Sequence, residues 1–199
     1  MILNLSSERI TLITNDEYII VPFAQVEEHL TQQVIELYML YRPAYLYVIN
    51  GPWSFTNLRV WALVANLLSS LSKWTLQLMT IDKLSLLRYL YLQGLLPEEW
   101  YVFFGQRKNF WIMNMKTDEQ KIYAKENFAD VEQVREELFV DRFVGDDFPL
   151  FWDRSREIKI TYNDGIIVAS YGNEVLECTD VFVPIEKIEP IYGIDPNIW

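Results

Sequence analysis

Gly51-Pro52-Trp53-Ser54-Phe55-Thr56-Asn57-Leu58-Arg59-Val60 is the stretch on which the fold of this chain turns. It follows an apolar run, Tyr45–Ile49, and opens the longest apolar-rich segment of the sequence. A Gly-Pro pair between an extended run and a helical pattern marks a strand-to-helix turn, with Ser54 or Thr56 placed to cap the helix. That helix is expected over Phe55–Leu71. At about 100° per residue, Arg59, Asn66 and Ser70 fall in one narrow polar stripe. Val60, Trp61, Leu63, Val64, Leu67, Leu68 and Leu71, with Ala65, fill an arc of roughly 260°, where a helix on one sheet needs little more than about 100°. Something besides that sheet must cover the excess, either a second lobe or another chain.

Working outward, three strand-like runs come first: Ile2–Leu5, Ile10–Thr14 and Tyr18–Val21. Ser6-Ser7 and Asn15-Asp16 separate them, which predicts a β-meander. A helix over roughly Ala24–Tyr41 follows, with Val26, Leu30, Val34, Leu37 and Tyr41 at helical spacing. Glu27-Glu28 suit its positive end, and Pro43 stops it. Ala44–Ile49 is almost wholly apolar, as a strand covered on both faces should be. Thr75–Thr80 reads as a strand and Asp82–Tyr91 as a helix, with Asp82 near its cap and Gly94 near its end.

Pro97-Glu98-Glu99 breaks the composition and sets the expected boundary, giving lobes of residues 1–96 and 97–199. Beyond it lie strand-like runs at Tyr101–Phe104, Phe110–Met115 and Gln120–Ala124, an acidic helix at Val131–Leu138 and a strand at Phe139–Val144. Phe148–Arg154 and Ile166–Ser170 fit helix or strand, and Phe182–Pro190 reads as a connector. Periodicity alone yields an α/β protein with mixed sheets.

Composition bounds the function. With 199 residues and 51% hydrophobic content the chain can bury a real core. No apolar run is long enough to span a membrane, and MILNLSSERI lacks the basic start of a signal peptide, so a cytoplasmic location is expected. The single cysteine, Cys178, excludes an internal disulfide framework. Acidic residues outnumber basic ones 28 to 17, for a net charge of -11. Unaided RNA binding rests on a basic stripe, which the scattered lysines and arginines do not form, so a direct grip on RNA is not expected and a basic partner protein fits better.

Residue counts also restrict the chemistry. One histidine, His29, and one cysteine cannot form a His- or Cys-rich zinc site, and His29 would have to serve any Ser-His or Cys-His arrangement. The acidic pairs Asp146-Asp147, Glu136-Glu137 and Glu98-Glu99 have no spacing that raises one above the rest. There is no GxxxxGK[ST] and no GxGxxG. No catalytic, cofactor or metal residue is therefore assigned.

The turn sequence resembles the GPGSFTGLR signature of the TsaB family, the small actin-like subunit in bacterial synthesis of threonylcarbamoyladenosine on tRNA. Weaker likeness extends along Glu28, Leu30 and Val34, along Leu78–Leu87, at Gly105-Gln106-Arg107, at Val144-Gly145-Asp146 and at Glu189-Pro190-Ile191-Tyr192. The resemblance implies an actin/ribonuclease-H-like (ASKHA) fold of two lobes, with mixed sheets and flanking helices. It further implies a non-catalytic subunit that supports TsaD, the larger subunit that transfers the threonylcarbamoyl group beside the anticodon. The first two helices would pack against the partner, which assigns the interface to Glu28, Leu30, Val34, Ser54, Phe55, Arg59, Val60, Trp61, Val64, Leu67 and Leu68. A homodimer through the same face when TsaD is absent, a TsaE-type ATPase as a further partner, and ATP with its metal on the partner complete these implications.

Four departures stand out, one of them length: the chain is somewhat short for the family, which leaves the second lobe, 97–199, abbreviated. Asn4 occupies the first-strand position where the family has an Asp, and a neutral amide is a poorer Mg²⁺ ligand. Val26 replaces a histidine in the first-helix pattern. Trp53 and Trp61 stand where the family has glycine, and Asn57 replaces a third. One hypothesis is that the gene reads UGA as glycine; UGG at codons 53 and 61 would end it. A free-standing actin-like ATPase or phosphotransferase, a glycoprotease-like enzyme, and a scaffold serving another complex remain the alternatives.

Overall fold

The computed structural model describes residues 1–4, 9–15, 18–22, 31–51, 55–73, 75–97, 99–103, 109–124, 138–141 and 158–191. The chain is a mixed α/β protein and divides into two compact units. The first comprises Met1–Lys83, Thr161–Ile167 and Cys178–Trp199; the second comprises Leu84–Ile160 and Val168–Glu177. Where the sequence put a boundary after residue 96, the first unit runs continuously to Lys83 and is completed by two later segments.

In the first unit, β1 (Ile2–Asn4), β2 (Arg9–Ile13) and β3 (Tyr18–Pro22) form the expected antiparallel meander, with Ile2 opposite Ile13 and Ile10 opposite Val21. Helix α1 (Thr31–Tyr41) leads to β4 (Tyr45–Asn50), and α2 (Phe55–Leu71) leads to β5 (Gln77–Asp82). The part of the first helix expected over Ala24–Leu30 lies outside the described residues. Strands β1, β4 and β5 are parallel, with Leu3 opposite Val48 and Val48 opposite Thr80. A further strand, β13 (Val183–Ile185), pairs antiparallel with β5, giving the order β13-β5-β4-β1-β2-β3.

That strand corrects the expected connector at Phe182–Pro190. It covers the outer edge of β5, whose backbone groups would otherwise lie open. Pro184 sits at its centre, which an edge strand tolerates because the missing N–H can fall on the unpaired side.

Burial explains the order. Leu46, Tyr47, Val48, Ile49 and Asn50 are all buried, so β4 is covered on both faces, as its apolar run required. Ile2, Leu3, Leu46 and Val48 are fully enclosed, each stabilising the fold by roughly 1.5–3 kcal/mol. Phe182 leads into β13 and packs edge-on against Tyr47, with ring centroids 5.4 Å apart. Both crossovers, β3 to β4 and β4 to β5, run the same way across the sheet, so the right-handed rule puts α1 and α2 on one face.

Helix ends follow local chemistry. After α1, Arg42 adopts φ 43° before Pro43. After α2, Lys73 adopts φ 54°, and the Ser72 hydroxyl donates to the Ser69 carbonyl at 2.6 Å.

In the second unit, α3 (Lys83–Leu92, whose first residue belongs to the first unit) ends at Gly94, where φ is 80° and the Leu95 N–H reaches the Leu90 carbonyl at 2.9 Å. A four-stranded sheet of order β8-β7-β6-β9 joins β6 (Trp100–Phe103), β7 (Asn109–Asn114), β8 (Gln120–Ala124) and β9 (Leu138–Asp141). Leu138, expected to close a helix, instead begins β9 and pairs with Trp100; residues 131–137 lie outside the described residues, as does 148–154.

A three-stranded sheet joins β10 (Lys159–Asn163), β11 (Ile166–Tyr171) and β12 (Glu174–Glu177). Ile166–Ser170, open between helix and strand from sequence, is therefore strand. Asp164 (φ 47°) and Gly165 (φ 90°) make the two-residue turn between β10 and β11, the pattern of a type I′ hairpin.

Candidate interaction surface

Helix α2 presents three kinds of surface. Leu58, Trp61, Ala62, Ala65, Leu68 and Ser69 are buried, and at helical spacing they define the face against the sheet. Small residues at 62, 65 and 69 let the helix sit close to β5. The opposite side carries Leu63, Leu67 and Leu71, four residues apart and 67%, 46% and 65% exposed. Exposed Arg59 and Ser70 flank this apolar line, and Val60 is half-buried.

The third surface is taken by the chain itself. Asn66, expected on the solvent face, turns to the segment that follows β13. Its Nδ2 donates to the Ile188 carbonyl at 3.0 Å, and its Oδ1 accepts the Ile188 N–H at 2.7 Å. Ile188 is buried, whereas Glu186, Lys187 and Glu189 are exposed. Residues 183–191 thus form a strap that runs from the edge of β5, past Asn66 on α2, to the end of β4.

The strap continues to the end of β4. Asn50, at the end of β4, donates from Nδ2 to the Glu189 carbonyl at 2.7 Å. Its Oδ1 accepts the Gly51 N–H at 2.9 Å, so one buried amide braces both segments. A Cβ on Gly51 would lie 1.8 Å from the Ile191 carbonyl oxygen. Glycine is needed at 51 for close backbone approach, and its φ is outside the left-handed region.

The structure disperses the residues assigned to the interface. Glu28, Leu30 and Ser54 lie outside the described residues, and Phe55 is the first residue of α2. Arg59 and Leu67 are exposed and Val60 is half-buried. Val34, Trp61, Val64 and Leu68 are buried within the chain, which corrects the expected exposed patch over Val64 and Leu68. The reason is rotational: the core face centres on Leu58 and Ala65, moving the free apolar line to Leu63, Leu67 and Leu71. Leu63 and Leu71 belonged to the wide arc in the sequence and carried that signal. On α1, exposed Ile35, Met39 and Leu40 add apolar surface, interrupted by Gln32 and Glu36, whose side chains hydrogen-bond at 2.8 Å.

Among the described residues, two buried side-chain polar atoms on these helices lack a hydrogen-bond partner, the Trp61 Nε1 and the Gln33 Oε1. An orphaned buried donor or acceptor costs about 1–3 kcal/mol.

The carboxyl ends of β1, β4 and β5 place Asn4, Asn50 and Asp82 at the head of the sheet, the usual ligand end of an open α/β sheet. Asn4 is half-buried there. Lys83 follows Asp82 and is fully buried, and desolvation lowers its ammonium from 10.5 to about 7. Among the described residues, no group of three His, Cys, Asp or Glu side chains could hold a metal ion. His29, Glu98 and the pairs at 136–137 and 146–147 lie outside the described residues. Glu99 accepts the Asn114 side-chain N–H at 2.7 Å, and Cys178 is buried. Among the described residues, no helix is long and apolar enough to cross a membrane.

No family model matches the chain, and no curated protein matches it. Among solved structures, the chain is similar to YeaZ from Pseudomonas aeruginosa at 16% identity and a TM-score of 0.37, over 62% of this chain and 63% of that one. It is similar to a protein described as having similarity to peptidase YeaZ, from the same organism, at 15% identity and a TM-score of 0.37, over 62% of each chain. The chain spans less than two thirds of either relative. At these values the likeness is too slight to carry fold or function, which rest on the residues of this chain.

Proposed function

We infer that this chain is a non-catalytic interaction subunit of TsaB type, which grips a TsaD-type partner in the threonylcarbamoyladenosine modification of tRNA. The observation that carries the docking half of this reading is the exposed line Leu63, Leu67 and Leu71 on α2. Three leucines in register on one side of a helix are a recurring anchor pattern for a partner helix. Ile35, Met39 and Leu40 on α1 widen the apolar surface, and an apolar patch on a helical face marks protein contact.

The family half of the reading is supported by the turn string Gly51–Val60 and by the strand order. A meander β1-β2-β3 followed by parallel β4 and β5 on the other side of β1 is the pattern of the actin/ribonuclease-H-like superfold. The chain acts in the cytoplasm, ATP and its metal sit on the partner, and tRNA is met through the partner because the net charge of -11 repels phosphate. A TsaE-type ATPase joins the assembly, and the same apolar face pairs two copies when TsaD is absent.

The test is co-expression with the TsaD-type protein of the same host. Co-elution as a stoichiometric complex is the expected result. ATP turnover by the purified chain alone, without such a complex, would replace this reading with the enzymatic one.

A further inference from the structure

We propose that the strap 183–191 is a latch, held reversibly by Asn66 and Asn50, that fixes Gly51 and the start of α2 in place.

The strap is built to come away. Val183, Pro184 and Ile185 are all exposed, so β13 is held to β5 by backbone pairing over only three residues, one of them a proline. Beyond it, Ile188 is the one buried side chain among residues 186–191. The remaining hold is polar: two bonds from Asn66 to the Ile188 backbone and one from Asn50 to the Glu189 carbonyl. Segments with few buried side chains and short ladders open locally, well below the cost of global unfolding.

Release of the strap reaches the turn through one residue. The Asn50 amide spans the two, with Nδ2 on Glu189 and Oδ1 on the Gly51 N–H. Gly51 is in turn tied to the head of β5, its carbonyl accepting the Lys83 N–H at 3.1 Å. The Ile191 carbonyl fills the space beside Gly51. With the strap lifted, Asn50 loses the partner that orients its side chain, and Gly51 gains free space. Gly51 and the first residues of α2 loosen together with the strap. The consequence for assembly rests on the docking role of α2, while the latch itself is a property of the lone chain.

Hydrogen exchange on the full chain, read peptide by peptide, tests the coupling without any partner. Asn66→Leu removes both bonds to Ile188 at nearly constant volume. The expected result is exchange of 186–191 accelerated tenfold or more, with exchange of 51–60 accelerated in parallel and β1–β3 unchanged. Acceleration of 186–191 with 51–60 unchanged would overturn the latch, as would no acceleration of 186–191 at all. Should Asn66→Leu fail to fold by far-ultraviolet circular dichroism, Asn66→Asp keeps the acceptor for the Ile188 N–H and removes only the donor. Its exchange pattern must change in the same two segments, by a smaller factor, or the proposal fails.

Discussion

Asn66 and Ile188 are joined by two reciprocal hydrogen bonds across 122 residues of sequence, the side-chain amide of one reading the backbone of the other as a neighbouring strand would. Ile188 is 1% exposed, so this polar pair is coupled to a buried apolar anchor. Ile188→Ala should destabilise the fold by about 2–4 kcal/mol, the range for truncating a buried isoleucine. Chemical denaturation measures this. A change under about 0.5 kcal/mol would mean that the strap contributes nothing to the folded state.

Gly51→Ala places a methyl group where the Ile191 carbonyl oxygen already lies, 1.8 Å away. Backbone has to move, and overpacking of this kind costs roughly 1–3 kcal/mol. The thermal midpoint should fall by several degrees. An unshifted midpoint would show that 191 does not sit against the turn.

Trp61 is fully enclosed, with its indole N–H unpartnered. Trp61→Phe removes that orphan along with part of the ring, so its net effect should be within about 1.5 kcal/mol of neutral. Trp61→Gly opens a large cavity inside a helix and should cost more than about 4 kcal/mol. Equal stability of the two variants, measured by urea unfolding, would mean that the indole is not a core element.

Lys83 gives a pH dependence whose sign is fixed. Its folded value is lowered from 10.5 to about 7, so between these limits the unfolded chain binds more protons than the folded one. Stability therefore rises as pH is raised from about 7, by up to about 1.4 kcal/mol per unit for one proton, and is insensitive to Lys83 below that. Tyr47, Tyr101 and Tyr162 are shifted upward, chiefly by burial, and act in the opposite direction above their ordinary range. Burial also lowers the Met1 ammonium from 8.0 to about 5, which adds a rise of its own below about pH 8, so the comparison is made between pH 8 and 9. Lys83→Met should flatten the slope there, and an unchanged slope would refute the buried neutral amine.

Much of the first unit was legible in the sequence because its elements carry strong periodic signals. The meander was readable from strand-like runs separated by Ser6-Ser7 and Asn15-Asp16, and α2 from helical spacing over Phe55–Leu71 after the Gly51-Pro52 pair. Gly94 was readable as a helix terminator because no other residue adopts positive φ as cheaply. Strand β13 was not. Its three residues include a proline and expose every side chain, so neither alternation nor an apolar run announces it. The solvent face of α2 was misjudged for a related reason. Asn66 is polar because it serves the strap, so only Arg59 and Ser70 of the polar stripe mark water, and the exposed face extends from them onto leucines. Long-range backbone recognition of this kind leaves no local pattern.

The central claim is that the leucine line on α2 meets a partner. Leu67→Asp puts a charge at the middle of that line, on a side chain already 46% exposed, so the lone fold should tolerate it. Isothermal titration of the TsaD-type protein into wild type and into Leu67→Asp, with thermal midpoints matched, measures this directly. The account predicts at least a hundredfold loss of affinity with the variant. Equal affinity for both proteins would contradict it.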